Sequence, residues 1–141
     1  MKGRLLVVLD PNVPDFDAAL AQLLEPHRLD EDAEPLPRYY FDYWLFTTEA
    51  FGEPVPDVSA ANIGGKCARN ARVIGTLHEA YFPSVVITPD GRWNDSSEHG
   101  WRLNCDPCES NTIALRKWKQ WFADLCGRHS NMIGVEVLYH C

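Results

Sequence analysis

The chain lacks any run of about 18 apolar residues, the length a helix needs to cross a bilayer, so no helical membrane span is expected. After the basic start Met1-Lys2-Gly3-Arg4 the apolar run Leu5–Leu9 is only five residues long and closes at Asp10. That is shorter than the apolar core of a signal peptide, and a cytoplasmic protein is the expectation. Positive charge is scarce: 13 Lys and Arg stand against 20 Asp and Glu, a net charge of −7. Such a field repels phosphate backbones, so duplex nucleic acid is not an expected partner. Also missing are G-x-S-x-G, H-E-x-x-H, G-x-G-x-x-G and the Walker spacing. Without them there is no recognisable nucleophile with its base and no cofactor fingerprint, and neither catalytic residues nor a cofactor are expected. There are five cysteines, but Cys105-x-x-Cys108 is half a zinc motif with no second half. Cys67, His99 and His140-Cys141 would complete it only in three dimensions, so free thiols and no metal are expected.

Aromatics are abundant, with five tryptophans in 141 residues, a length that implies one domain. The stretch 82–101, FPSVVITPDGRWNDSSEHGW, joins two of the tryptophans to charged and polar groups. A strand Val85–Thr88 enters Pro89-Asp90-Gly91, where proline presets φ, aspartate bonds its own backbone and glycine permits positive φ. Arg92, Trp93, Asn94, Asp95, His99 and Trp101 follow within twelve residues.

The remaining elements read in chain order. Leu5–Leu9 suits a strand covered on both faces. Phe16, Leu20, Leu23 and Leu24 form one stripe of a helix over 15–25, N-capped by Asp15 and stopped by Pro26. Asp30–Glu34 holds four acids and reads as a solvated loop. Arg38–Thr48 reads as an aromatic strand that puts Tyr40, Asp42, Trp44 and Phe46 on one face. Loop follows from Glu49, and 72–76 is a minor strand. A second helix is expected over 111–126, capped by Ser110 or Asn111, with Leu115, Trp118, Phe122 and Leu125 buried and Gly127 at C′. Ile133, Val135, Val137 and Tyr139 share one face of a last strand. The order β-α-β, insertion, β-α-β predicts an α+β fold. Its expected form is a ferredoxin-like split βαβ sheet with two helices on one face and a long 49–80 insertion.

Gly64-Gly65-Lys66 with Arg69 and Arg72 gathers three cations in seven residues of an acidic chain. Glycines let backbone N–H groups approach an anion, and the cations supply charge.

Several of these segments together resemble a group of phage and bacterial proteins. The shared features are the opening apolar strand, the aromatic Phe41-Asp42-Tyr43-Trp44, a Gly-Gly-basic element, Thr88–Trp93 with Gly100-Trp101, and a strand ending near cysteine and histidine. Asn94 stands where that group places histidine, and His140-Cys141 inverts its terminal order. The resemblance implies a phage or mobile-element setting and no particular activity.

The expected function is non-enzymatic binding of a small anionic, nucleotide-like ligand, with sequestration of an immune signal as the phage role. Tyr40, Asp42, Trp44, Trp93 and Trp101 would form the aromatic face. Lys66, Arg69, Arg72 and Arg92 would meet phosphate, and Asn94, Asp95 and His99 would orient the ligand. The alternatives are a metal-dependent hydrolase using Asp90, Asp95 and His99, or an acidic inhibitor of a host protein. A homo-oligomer is compatible with each.

Overall fold

The hydrophobic run at the start of the chain sits at the centre of the molecule. The computed structural model describes residues 2–28, 41–59, 61–96 and 109–140. Strand β1 (Lys2–Leu9) buries every side chain from Leu5 to Leu9, as a run without polar alternation must. Helix α1 (Phe16–Leu24) starts at Asp15, whose carboxylate accepts the Ala18 backbone N–H at 3.1 Å. It passes into a 3₁₀ turn, Glu25–His27, that contains Pro26. Then come β2 (Tyr43–Leu45), the small hairpin β3 (Glu49–Ala50) and β4 (Glu53–Pro54), and β5 (Ala71–Val73). Strands β6 (Val85–Ile87) and β7 (Trp93–Asp95), helix α2 (Glu109–Arg128) and β8 (Ile133–His140) complete the order.

The main sheet runs β2-β8-β1-β6-β7. Only the β1–β6 pairing is parallel, in the register Leu5↔Val85; β8 lies antiparallel to β1 along its whole length. Strands β2 and β5 share the outer edge of β8 at opposite ends, opposite Leu138–His140 and Ile133–Val135 respectively.

Successive side chains of a strand point to opposite faces, and here both faces are covered. Leu5, Val7 and Leu9 pack with Leu20 and Leu24 of α1, together with Val85, Ile87, Val135 and Val137. Leu6, Val8 and Val86 pack with Trp118, Phe122 and Leu125 of α2. The chain is therefore α+β with a mostly antiparallel sheet between its two helices.

Several expectations change. The helices lie on opposite faces, not one, because β1 offers an apolar stripe to each side. β6 pairs directly with β1 in parallel, so the unit containing α1 is not split by an intervening strand. Strand two shrinks to Tyr43–Leu45; of its expected extent, 38–40 lie outside the described residues. The 49–80 insertion contributes β5 to the main sheet. The minor strand ends at Val73, and Ile74–Thr76 is a 3₁₀ turn. Helix α2 includes Ser110 and Gly127, so neither is a cap, and Ala114 is buried where Leu115 is only half-buried.

Candidate functional site

Thr88 N–H donates to the Arg92 carbonyl at 3.1 Å, so Pro89–Gly91 form a three-residue hairpin loop between β6 and β7. Gly91 N–H donates to the Thr88 carbonyl at 2.8 Å, and Gly91 takes φ +84°, the left-handed position such loops close on. The Asp90 carboxylate accepts from the Thr88 hydroxyl and from Arg92 N–H at 3.3 Å. These bonds, the hydroxyl's first, hold its carboxyl below the usual range. Asp90 is thus a turn residue.

Alternation along β7 then separates the residues that follow. Trp93 joins the α1-side core, and its Nε1 donates to Asp95 at 3.0 Å. Asn94 is buried on the other side, its Nδ2 donating to the carbonyls of Val86 (3.3 Å) and Arg92 (3.1 Å). Arg92 is exposed at the hairpin.

The aromatic residues assemble in part. Trp44 stands opposite Tyr139 across β2 and β8. Tyr139 lies over Gly3, where an added Cβ would come within 2.6 Å of the ring, and meets Trp93 edge-on at 5.8 Å. Trp93 reaches the His27 ring at 5.3 Å, and His27 Nε2 lies 3.0 Å from the Gly91 carbonyl. This row crosses the α1 face of the sheet. Asp42 instead pairs with His140 Nδ1 at 2.9 Å, beneath an exposed Tyr43 stacked on the imidazole. Tyr40, His99 and Trp101 lie outside the described residues, as do Cys105, Cys108 and Cys141.

The Gly-Gly-Lys loop does cradle an anion, and the anion is internal. Backbone N–H groups of Lys66 and Cys67 donate to the Asp17 carboxylate at 2.8 and 2.9 Å. Gly65 at φ +93° admits the carboxylate, since a Cβ there would stand 2.7 Å from it. Burial raises the pKa of Asp17, but these donors outweigh it and hold the carboxyl below its usual value. Beside it the Cys67 thiol is pushed up to about 12 by burial, then by its bond to Asp17. Arg69 is exposed, and Arg72 donates to the carbonyls of Arg69 (3.2 Å) and Ala71 (2.8 Å) while lying over Phe51. Arg69 precedes β5 and Arg72 lies in it, and β5 pairs with β8 no further than Val135. Tyr139 is four residues beyond, roughly 13 Å at about 3.3 Å per residue. Among the described residues the cationic loop and the aromatic row therefore lie towards opposite ends of β8.

Two recesses on the α2 side draw instead on residues outside the expected set. The larger, about 480 Å³, is a groove between α2 and the 74–82 segment. Its walls include Leu77, Tyr81, Phe82 and Phe122, with Ala123, Cys126 and Gly127 on the helix side. Lys119 holds its ammonium 4.7 Å from the centre of the Phe82 ring. His78 Nδ1 accepts the Ala80 N–H at 3.0 Å, which leaves the neutral imidazole's proton on Nε2 as a donor.

The smaller, about 180 Å³, is lined by Arg4, Thr47, Thr48, Glu49, Glu136 and Leu138. Glu136 is buried on β8 at 3% exposure and accepts from Arg4 Nη1 (3.3 Å), Phe51 N–H (3.1 Å) and the Tyr81 hydroxyl. Desolvation, then the Glu136 charge, raises Tyr81 well above the ordinary phenol value, so it stays a donor. Tyr81 therefore links the wall of the groove to the carboxylate of the smaller cavity. Among the described residues no three His, Cys, Asp or Glu side chains gather as a metal-binding group. Comparison with family models, curated proteins and solved structures finds no match for this chain.

Proposed function

We propose that the protein is a non-catalytic binder of a small anionic, nucleotide-like ligand, and that the groove between α2 and residues 74–82 takes it. The observation that carries this reading is the pairing of an aromatic wall with a cation at its rim. Tyr81 and Phe82 give the groove an aromatic wall for a flat ring system, and Lys119 over Phe82 places a cation there to meet an acid group. The volume suits a ligand of mononucleotide size. The site differs from the one expected from the aromatic strand and the 64–72 loop, where the anion cradle is already filled by Asp17. In the phage setting that the resemblance implies, holding an immune signal in the host cytoplasm is the corresponding role.

The test is a thermal-shift screen of mono-, di- and cyclic nucleotides against the purified chain. A ligand at 100 times its Kd stabilises by about 2.7 kcal/mol, a readily measured shift. Lys119→Ala is expected to weaken the hit roughly tenfold or more, as loss of a charge-assisted contact does. Lys66→Ala and Arg69→Ala are expected to bind like the parent chain. No shift across the screen, or normal binding by Lys119→Ala, would overturn the reading. Loss of binding in Lys66→Ala or Arg69→Ala instead would place the ligand at the 64–72 loop.

A further inference from the structure

We propose that the edge strand β2 is a self-association surface, where a second copy of this chain pairs its own β2 antiparallel about a two-fold axis through Trp44. The main sheet ends on β2, and among the described residues no strand pairs with its outer side. The approach to the strand is covered, since Phe41 bridges Arg28 and donates its N–H to the His27 carbonyl at 3.0 Å. Among the described residues the edge is open from Tyr43 onward.

The strand pairings settle which backbone groups face out. Ser84 N–H donates to the Arg4 carbonyl at 3.1 Å, so the even positions of β1 face β6 and its odd positions face β8. The register Leu5↔Val137 then turns the odd positions of β8 to β1 and its even positions, Leu138 and His140, to β2. Their partners Leu45 and Tyr43 bond to β8, and Trp44 directs its N–H and C=O away from the sheet. Asp42 N–H reaches the His140 carbonyl as well, at 2.7 Å, so the regular alternation begins at Tyr43. An edge of this kind accepts another strand unless lysine, proline or an inward charge blunts it. Tyr43-Trp44-Leu45 has none of these, and the neighbouring acid, Asp42, is held by His140.

The side chains select a second copy as the occupant. Four large apolar side chains are exposed among the described residues, and two of them, Tyr43 at 45% and Leu45 at 38%, share one face of this strand. With the two-fold at Trp44, Tyr43 meets the partner's Leu45 and Leu45 meets the partner's Tyr43. These are non-hydrogen-bonded pairs, where side chains approach most closely, and each copy supplies both halves of the match. The two Trp44 residues exchange a pair of N–H···O=C bonds. On the other face the row Trp93–Tyr139–Trp44 reaches the edge, and the partner's Trp44 and the partner's Tyr139 continue it. A peptide of unrelated sequence would complete the hydrogen bonds without extending either row. The surface is separate from the groove, which no residue of β2 lines.

The test is sedimentation velocity of the full chain from about 10 μM to about 1 mM, the range a small interface calls for. Reversible dimerisation is expected, the weight-average mass rising from that of one chain towards that of two. Tyr43→Lys and Leu45→Lys should each weaken it roughly tenfold or more, as a charge placed on a pairing edge does. Both positions are exposed, and unchanged circular dichroism and thermal midpoints check the fold. Combining Tyr43→Lys with Leu45→Glu sets opposite charges across each pair and should restore association relative to Tyr43→Lys or Leu45→Glu alone. Ile113→Lys, an exposed apolar position on α2, should dimerise like the parent chain. A monomer throughout the range, a dimer indifferent to Leu45→Lys, or absence of rescue in the double variant would overturn the proposal.

Discussion

The Asp17 carboxylate shows how a local signal is read correctly in kind and wrongly in partner. Gly64-Gly65-Lys66 has the composition of an anion cradle, and the backbone does form one. What occupies it is a side chain from α1, 49 positions earlier. Nothing in the spacing of one loop names a group that the fold delivers from another element. Two predictions follow at this scale. Gly65→Ala should cost about 1 kcal/mol or more, since alanine at positive φ is strained and its Cβ would strike Asp17. Gly64→Ala meets nothing within 4 Å and should be near neutral, so urea melts of the pair isolate the cradle. The pH dependence has a definite sign. Asp17's folded pKa lies below its ordinary 3.8, so its stabilising contribution is complete above that value and is lost as pH falls through the depressed one. Between about pH 5 and about pH 2.5 the parent should lose more stability than Asp17→Asn, measured by denaturant titration.

Elements with a strong internal pattern were legible: Leu5–Leu9 as a doubly covered strand, Asp15 as a cap, the Pro-Asp-Gly turn, and the odd-numbered face of β8. The even-numbered face of β8 was not. Glu136 interrupts Val135 and Val137, and alternation alone would send it to solvent. It is buried where Arg4, Phe51 and Tyr81, all from outside β8, donate to it, which no property of the strand itself announces. The same cause hid the links from Arg4 and Tyr81 to Glu136. The close fit of this face gives a third prediction. An added Cβ at Gly134 would stand 2.6 Å from Ile74 Cδ1 and 2.9 Å from Leu6 Cδ1. Gly134→Ala should therefore destabilise by about 1–3 kcal/mol through overpacking. A drop in the denaturation midpoint without a change in slope would show that the effect is on packing.

At the scale of the molecule, the placing of the helices decides where a ligand has room. Trp118 is fully buried with its Nε1 donating to the Pro83 carbonyl at 2.8 Å, and it fixes α2 against the sheet. Beyond it the helix presents Ala123, Cys126 and Gly127, small residues that leave the groove open against Tyr81 and Phe82. The expected pocket drew on β2, the hairpin and the 64–72 loop, and among the described residues pairing on β8 holds β2 and β5 at opposite ends of one edge. That separation depends on strand register between distant segments, which is why residue composition did not reveal it. Cys126 offers the most direct probe of the groove, since it is half-buried there and burial raises its thiol to about 11. The measurement is its alkylation rate, followed by peptide mass spectrometry at about pH 9 to supply thiolate, with and without a saturating nucleotide hit. A ligand in the groove should slow modification of Cys126 several-fold and leave the buried Cys67 unchanged. An unaltered rate at Cys126 with the ligand bound would contradict the account.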